Sequence, residues 1–316
     1  MYNTITVEML FEAHQEVLEL SWHAGVENRH ASFRRDPDEF SCLVGYLNFV
    51  HPQQITVLGS QEFTYLARLE ITAYHDAIKQ LFDHRPAMVI IAERQQASVE
   101  MLHLAQQLGI PLVASNAPAR MVIDHLSHYL TSRLAPYITV HGVFMEVFDL
   151  GVLLAGASGA GKSELALELI NRDHRLIADD CPTFSRLTPD ALTGSCSPLL
   201  QDFLEVRGIG ILNIRAMFGS TAIKDRKHLH LIVNIVDMRE EQGMFNKFDR
   251  LQGIHHTREI LGLGIPEVTL PAAPGRSLAI LVEAAVRNQV LRLNGYDASA
   301  LFHQRHSYAL ETQVLS

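Results

Sequence analysis

The sequence predicts an α/β protein with two domains. Its 316 residues exceed what one hydrophobic core usually organises. The first part of the chain contains short β-branched runs separated by a helical pattern, and the second part contains a strand, a glycine-rich loop and a helix in that order. We therefore predict a small N-terminal α/β domain over residues 1–133, of uncertain role, and a second domain over residues 134–316.

The N-terminal domain is predicted from three short apolar runs, which are QITVLG (54–59), MVIIAE (88–93) and IPLVAS (110–115). Residues 98–109 lie between the last two runs, and they have the apolar spacing of a helix that ends at a glycine. The pattern is typical of a βαβ unit. Residues 119–136 then predict one further helix that stops before Pro136, because proline cannot continue a helix.

The C-terminal domain begins with a predicted β-hairpin. Residues 139–147 and 151–155 are strand-like and flank the turn FDL. The second strand leads directly into GASGAGKS, which fits the pattern G-x-x-x-x-G-K-[ST]. In such a loop the backbone N–H groups face the phosphates of a nucleotide, the lysine neutralises the β and γ oxygens, and the hydroxyl binds magnesium. The predicted nucleotide-binding residues are Gly156, Ala157, Ser158, Gly159, Ala160, Gly161, Lys162 and Ser163.

Two positions offer the acid that a phosphate loop needs for its metal. LIVNIVD (231–237) ends an apolar strand at Asp237, which is the generic arrangement. HRLIADD (174–180) ends a shorter strand in the pair Asp179 and Asp180. Adjacent side chains alternate across a strand end, so one acid of the pair could face a metal while the other meets an incoming hydroxyl. Strand position alone favours Asp237, but the pair can serve both purposes, so the residues favour Asp179 and Asp180 while Asp237 stays the alternative.

Composition excludes several classes of protein. Apolar residues make up 47% and charged residues 19% of the chain, and no apolar run approaches the ~20 residues needed to span a bilayer. The formal net charge of −9 argues against general affinity for nucleic acid. The N-terminus carries acids where a signal peptide would carry bases, so a cytoplasmic protein without membrane partners is expected. The three cysteines, Cys42, Cys181 and Cys196, are expected to be reduced thiols.

Five blocks in one order resemble the HPr kinase/phosphorylase family. They are VHGVFMEV (140–147), the phosphate loop with its helix, DHRLIADD (173–180), FLEVRGIGILNIRAMFG (203–219) and PAAPGRSLAILVEAA (271–285). The resemblance implies a C-terminal P-loop kinase domain related to phosphoenolpyruvate carboxykinase. It also implies Mg²⁺-assisted phosphorylation by ATP of a seryl residue on the phosphocarrier HPr, and removal of that phosphate by inorganic phosphate with release of pyrophosphate. The implied assembly is a homohexamer.

The resemblance also implies roles for individual residues. Asp180 matches the acid–base residue, with Asp179 beside it. Glu205 matches a magnesium ligand that acts together with Ser163. His141 matches the family's active-site histidine, for which two roles are open, binding phosphate or tuning the carboxylate. Lys162 of the phosphate loop and Arg250 are expected to neutralise the phosphoryl group. Further residues of the matching motifs are Leu204, Val206, Arg207, Gly208, Pro271, Pro274, Gly275 and Arg276.

The chain departs from the family pattern at three places. Ala272 and Ala273 stand where the family has a larger apolar residue and a basic one, in a loop associated with phosphorolysis, so a weaker reverse reaction is expected. Ala157 stands where the family commonly has a carboxylate, and cradling of phosphate by the backbone should survive that change. Residues 238–264 form a longer connection than usual.

Two other functions compete with this prediction. A P-loop kinase or carboxykinase for a small molecule shares the same ancestry. A non-catalytic nucleotide switch would use Asp179 and Asp180 only to hold a metal. The EVRGIG block (205–210) favours the kinase and phosphorylase. The residues leave open whether pyrophosphate can replace ATP as the phosphoryl donor.

Overall fold

The computed structural model describes residues 4–33, 43–49, 53–237, 255–273, 275 and 277–314. The chain forms two compact units, Met1–Pro136 and Tyr137–Ser316.

The N-terminal unit is built on a five-stranded sheet with helices on both faces. Its strands are β1 (Ile5–Thr6), β2 (Leu20–Ala24), β3 (Ser32–Phe33), β4 (Val44–Tyr46), β5 (Ile55–Leu58), β6 (Met88–Ile91) and β7 (Leu112–Ser115). Its helices are α1 (Val7–His14), α2 (Ser60–Leu66), α3 (Ile71–Asp83), α4 (Val99–Leu108) and α5 (Ala119–Leu134). The sheet order is β2-β7-β6-β5-β4, with β2 antiparallel to its neighbour and the other pairs parallel, while β1 and β3 pair separately.

The predicted βαβ unit is confirmed as β6, α4 and β7, and the two strands are parallel. Ser98 caps the start of helix α4, and its hydroxyl accepts a hydrogen bond from the Met101 N–H at 3.2 Å. It ends at Gly109, which has the left-handed φ of 65° that favours glycine at a helix end. Both faces of the central strands are covered, because alternate residues of β6 belong to two separate apolar clusters.

The C-terminal unit carries a nine-stranded sheet and a separate two-stranded hairpin. Its strands are β8 (Tyr137–Thr139), β9 (Val143–Val147), β10 (Leu150–Gly156), β11 (Arg175–Ala178), β12 (Thr183–Thr188), β13 (Ala191–Ser195), β14 (Phe203–Val206), β15 (Gly210–Asn213), β16 (Arg226–Asp237), β17 (His255–Ile260) and β18 (Leu263–Ala272). Its helices are α6 (Lys162–Ile170), α7 (Ile214–Phe218), α8 (Leu278–Leu293) and α9 (Ala298–Val314).

Strand directions bring several chain segments to one edge of the large sheet. Strand β10 is parallel to β16, and β16 is parallel to β18. Strand β9 is antiparallel to both β10 and β11, so β10 and β11 run in the same direction. The carboxyl ends of β10, β11, β16 and β18 therefore share an edge with the start of β9. The phosphate loop and the acid pair meet at this edge.

The predicted hairpin of β9 and β10 is confirmed, although its first strand starts at Val143 and not at Thr139, which belongs to β8. Strand β10 is apolar at every inner position because both of its faces are buried. Val152 and Leu154 pack in a layer with α6 and α8, whereas Leu153 packs in the opposite layer with the edge-to-face pair Phe144 and Phe184. This packing fixes the strand from which the phosphate loop leaves.

Candidate active site

The phosphate loop joins β10 to α6 through three glycines with positive φ. These angles are 145° at Gly156, 82° at Gly159 and 81° at Gly161. A Cβ on Gly156 would lie 2.5 Å from the carbonyl oxygen of Ile235 on the neighbouring strand. The loop therefore requires glycine there both for its backbone angle and for space.

Lys162 begins helix α6 and is buried beneath the loop. Its Nζ donates hydrogen bonds to the carbonyl oxygens of Gly156 at 3.0 Å and Ala157 at 2.8 Å. Burial lowers the pKa of Lys162, while Asp179, Asp180 and Glu164 act in the opposite direction. The ammonium is thus held at the loop that the sequence assigned to phosphate.

Asp179 is 9% exposed. Its carboxylate connects α6 to the β14–β15 hairpin. One carboxylate oxygen accepts a hydrogen bond from the Glu205 N–H at 2.8 Å, and the other lies 3.5 Å from the hydroxyl of Ser163. Burial raises the pKa of Asp179, and the neighbouring carboxylates of Asp180 and Glu205 raise it further, against N–H hydrogen bonds that lower it. Asp179 therefore positions both Ser163 and Glu205.

Asp180 points the other way from a left-handed backbone with φ of 62°. Its Oδ1 lies 3.0 Å from Nδ1 of His141, and its Oδ2 accepts a hydrogen bond from the thiol of Cys181 at 3.4 Å. The side chains of His141 and Asp180 are 54% and 64% exposed. The backbone carbonyl of Asp180 accepts a hydrogen bond from the Gly142 N–H at 3.0 Å. This bond connects the segment just before β9 to the acid pair. The carboxylate is held in place and open to an incoming group.

The β14–β15 hairpin delivers alternate side chains to two environments. Leu204 and Val206 are buried in the core, whereas Glu205 and Arg207 face outward. A Cβ on Gly159 would lie 3.4 Å from Nη1 of Arg207, so the guanidinium approaches the phosphate loop. The period-2 pattern of the strand thus explains why one short motif contributes both core and cavity residues.

These elements enclose a cavity of about 180 Å³. The predicted residues that line it are His141, Ser158, Gly159, Gly161, Lys162, Ser163, Asp179, Asp180, Glu205 and Arg207. Gly142, Val143 and Glu164 also line it and were missed, although Glu164 directly follows the phosphate-loop motif. Asp237 ends β16 opposite Ala272 and does not line this cavity.

Other predicted residues lie elsewhere. Gly156, Ala157 and Ala160 belong to the loop without lining the cavity, Gly208 lies in the hairpin turn with φ of 84°, Pro271 is in β18, and Gly275 has φ of 80°. Arg250, Pro274 and Arg276 lie outside the described residues.

The donor set suits a hard divalent cation bound together with phosphate. Within the described part of the chain, no group of three or more His, Cys, Asp or Glu side chains could hold a metal ion. Magnesium, however, is usually bound through one or two carboxylates plus substrate phosphates and water. Among the described lining residues, the carboxylates of Glu164, Asp179, Asp180 and Glu205 outnumber the fixed cations Lys162 and Arg207. A polyphosphate would therefore need a cation to enter this cavity.

Comparison with known proteins places both units in one family. Residues 5–130 match the family model described as HPr Serine kinase N terminus, and residues 132–306 match the HPr Serine kinase C-terminal domain. The chain belongs to the HPr serine kinase family. The family assignment and the two-domain α/β fold predicted from the sequence are thereby confirmed.

Members of the HPr serine kinase family resemble this chain over nearly its full length or over about half of it. A protein named HPr kinase/phosphorylase from Stenotrophomonas maltophilia is 42% identical over 316 residues, which cover 99% of this chain and 100% of the relative. A protein of the same name from Xylella fastidiosa is 42% identical over 313 residues, covering 98% and 99% of the two chains. The solved HPr(Ser) kinase/phosphatase from Coxiella burnetii is 36% identical, with a TM-score of 0.47, over 52% of this chain and 98% of that chain.

None of the described helices is long and apolar enough to cross a membrane. Of the three cysteines, Cys181 and Cys196 are free thiols, and Cys42 lies outside the described residues.

Proposed function

We propose that this chain phosphorylates a seryl residue of an HPr-like phosphocarrier with ATP and removes that phosphate with inorganic phosphate, releasing pyrophosphate. The observation that carries the proposal is the position of Asp180. Its carboxylate is open, paired with His141, and faces the same cavity as Lys162 and Ser163 of the phosphate loop. Relatives named HPr kinase/phosphorylase support the same activity.

In the forward direction, the seryl oxygen attacks the γ-phosphorus of ATP. The new O–P bond forms as the bond from the γ-phosphorus to the β-phosphate oxygen breaks, and that electron pair leaves with ADP. Asp180 accepts the seryl proton, since a neutral hydroxyl is a poor nucleophile. His141 keeps the carboxylate oriented through its contact at 3.0 Å, and Lys162 neutralises charge on the phosphate oxygens.

In the reverse direction, an oxygen of inorganic phosphate attacks the phosphorus of phosphoserine. The bond from phosphorus to the seryl oxygen breaks, and Asp180 returns a proton to that oxygen, as microscopic reversibility requires. Pyrophosphate is the other product. Ala272 at the end of β18 and Ala273 beyond it lack the basic side chain of the family pattern, so we expect this direction to be the weaker one.

Ser163 and Glu205 would hold Mg²⁺, and the metal would neutralise phosphate charge when bound. Asp179 orients both residues through its two carboxylate oxygens. Because Asp179 is buried and already engaged, we assign it to positioning and Asp180 to proton transfer.

The assembly and the cellular location belong to the same proposal. Helix α8 exposes large apolar side chains at Ile280 and Leu293, with 55% and 59% of each residue accessible, which supports association with other chains. The number of six chains is the one that the family resemblance implies. The net charge of −9 supports a role without nucleic acid. The cytoplasmic location expected from the sequence stays a prediction.

The test is incubation of the purified chain with γ-labelled ATP, Mg²⁺ and a purified HPr-type phosphocarrier. The proposal expects acid-stable, alkali-labile phosphoserine on the carrier, and its loss with release of pyrophosphate when inorganic phosphate is added. A carrier variant with alanine at the target serine is the control. Labelled small-molecule product without phosphoserine would favour the small-molecule kinase, and nucleotide binding without any transfer would favour the switch.

A further inference from the structure

The N-terminal unit contains a cavity of its own, with a volume of about 390 Å³. His14, the last residue of α1, lines this cavity from one element. All the other lining residues come from α5, and they are Asp124, His125, His128, Tyr129, Ser132 and Arg133. The volume lies in the range of cavities that hold small molecules. None of these residues lines the catalytic cavity.

The helical repeat explains how α5 supplies so many residues to one cavity. Leu126 and Leu130 lie four residues apart and are buried in the apolar core of the unit. The residue pairs 124–125, 128–129 and 132–133 recur with the same spacing, so they form a second stripe along the helix. The core accounts for the first stripe, but it does not require the polar chemistry of the second.

The charges around the cavity favour an anion. Its lining groups that titrate or carry charge are His14 on α1 and Asp124, His125, His128, Tyr129 and Arg133 on α5. Asp124 is the one carboxylate among the described lining residues, and Arg120 offsets its charge in part at a distance of 3.7 Å. Arg133 is therefore a fixed positive charge beside three imidazoles that can become cationic. The catalytic cavity has the opposite balance, because its carboxylates outnumber its cations.

The cationic side chains of this cavity retain hydrogen-bonding capacity for a ligand. Within the described part of the chain, His125, His128 and Arg133 form no ion pair or side-chain hydrogen bond. Arg133 lies over the ring of Tyr129, with 5.6 Å from its Cζ to the ring centroid. An exposed guanidinium without a carboxylate partner can bind both oxygens of an incoming carboxylate.

His14 contributes a second sign of an incomplete polar site. Its Nε2 is buried and has no hydrogen-bond partner among the described residues, and such atoms are uncommon in folded proteins. Its ring packs edge-on against Tyr129, with 4.6 Å between the ring centroids. Burial lowers the pKa of His14, and the nearby His125 lowers it further. Both effects favour the uncharged imidazole, and an anion in the cavity would oppose them.

We propose that this cavity binds a small organic carboxylate, with its carboxylate on Arg133 and His128 and its apolar part against Tyr129. A monoanion matches the single fixed cation of the lining, and its two oxygens match the arginine fork. The cavity supplies the positive charge itself, so binding needs no divalent cation. A bound carboxylate also favours protonated imidazoles, so its affinity rises as the pH falls through the ordinary range of histidine. This binding site is separate from the proposed phosphoryl transfer and does not depend on it.

The test is isothermal titration calorimetry of the full chain without Mg²⁺ or nucleotide. The probes are benzoate, its neutral analogue benzamide, and phenyl phosphate as the alternative head group. Arg133→Gln and His128→Gln remove the two proposed contacts. Arg68→Gln is the matched control, because Arg68 is also an exposed arginine of this unit but does not line the cavity. Lys162→Ala reports any binding in the catalytic cavity, and thermal unfolding shows whether each variant is folded.

We expect benzoate to bind at millimolar concentration or below near pH 6, and benzamide not to bind. The Kd of benzoate should rise roughly tenfold between about pH 6 and about pH 8, because benzoate stays ionised over this range while the imidazoles lose their protons. Arg133→Gln and His128→Gln should each raise this Kd roughly tenfold. Arg68→Gln and Lys162→Ala should match the wild type.

Four results would overturn the proposal. They are equal affinities for benzoate and benzamide, binding of phenyl phosphate without binding of benzoate, an affinity that does not change with pH, and loss of benzoate binding in Lys162→Ala. Folded Arg133→Gln and His128→Gln proteins that both bind benzoate as the wild type does would also contradict it.

Discussion

Two adjacent carboxylates of the same type have different environments in this site. Asp179 is buried and bonded to the P-loop helix and the hairpin, whereas Asp180 is exposed beside His141. Alternation across a strand end predicted from the sequence that the pair would face different ways. It could not predict that His141 would be the partner, because this contact joins two loops that are distant in sequence, one before β9 and one after β11. Only the motif resemblance pointed to His141 in advance.

Lys162→Ala should lower the phosphorylation rate strongly. Loss of a phosphate-neutralising cation is expected to cost roughly 3–4 kcal/mol of transition-state stabilisation. Ser163→Ala should also slow the reaction, because it removes the hydroxyl proposed to bind magnesium. Initial rates at saturating ATP measure both effects. Lys79→Ala, at an exposed lysine of the N-terminal unit, is the matched control. Wild-type rates in Lys162→Ala would remove this loop from the reaction.

Cys181 was not predicted as part of the site, although its thiol donates to Oδ2 of Asp180. Burial raises the pKa of this thiol, and the hydrogen bond to Asp180 raises it further, so the donor stays protonated near neutral pH. Cys181→Ala should lower both reaction rates by roughly threefold to tenfold, within the range for one hydrogen bond, and Cys181→Ser should restore them. Equal rates in all three proteins would show that the thiol does not help to position Asp180.

At the scale of elements, the sequence predicted helices, strands and loops correctly where the hydrophobic pattern was long or the segment was rich in glycine. The βαβ unit, the β9–β10 hairpin and the loop before α6 all carry such signals. Strands β4, β12 and β13 were not predicted, because VGY is short and the sequences TFSRLT and ALTGS mix polar and apolar residues. Their pairing depends on distant strands such as β16, and a local pattern does not contain that information.

Gly156→Ala should disrupt the loop itself. The backbone angle is unfavourable for alanine, and the new Cβ would meet the Ile235 carbonyl oxygen at 2.5 Å. We expect nucleotide affinity to fall by roughly tenfold or more, because the loop conformation changes. The melting temperature should also drop, because β10 and β16 must separate to relieve the contact. Ala157→Gly in the same loop is the control. Calorimetry of nucleotide binding and thermal unfolding measure the two effects, and an unperturbed Gly156→Ala protein would contradict the loop geometry.

A charged cluster at Glu283 joins α8 to the segment between α6 and β11. Its carboxylate receives two hydrogen bonds from Arg172 and lies 3.1 Å from Nε2 of the buried His174. The hydrogen bonds from Arg172 lower the pKa of Glu283 from its ordinary value of 4.5 to about 2. A depressed carboxyl pKa stabilises the fold above the unfolded value, and this contribution is lost as pH falls from about 4.5 towards 2.

Glu283→Gln should therefore lower the melting temperature at pH 7 by roughly 2–4 °C. The difference from the wild type should narrow as the pH falls through that window. Melting curves between pH 7 and about pH 3 measure this difference. The control is Glu259→Gln, because Glu259 lies in β17 and forms no ion pair with Arg172 or His174. A difference that stays constant with pH would mean that the ion cluster is not its source.

At the scale of the whole molecule, sheet topology assembles the site. The carboxyl ends of β10 and β11 and the start of β9 meet at one edge, although β11 is separated from β10 in sequence by the whole of α6. Sequence predicted each segment, but the order of the strands in the sheet arises from long-range pairing. The sequence could therefore predict which motifs line the cavity, but not how these motifs are arranged in space.

The proposed homohexamer makes a prediction about size in solution. The exposed apolar residues of α8 give a reason for association. Multi-angle light scattering should report six chains at micromolar concentration, and Leu293→Glu should reduce the assembly because it places a charge at one of these exposed apolar positions. A monomer at every accessible concentration would contradict the assembly.

The central claim is that Asp180 transfers the proton in both directions, and one comparison tests it most directly. Phosphorylation and phosphorolysis are measured on the wild type, Asp180→Asn and Asp237→Asn, with nucleotide affinity determined separately. The account predicts that Asp180→Asn lowers both rates by a factor on the order of 10²–10⁴ and largely retains ATP binding, because the amide preserves size without accepting the proton. Asp237→Asn should cost far less, since Asp237 does not line the cavity. An inactive Asp237→Asn beside an active Asp180→Asn would contradict the account.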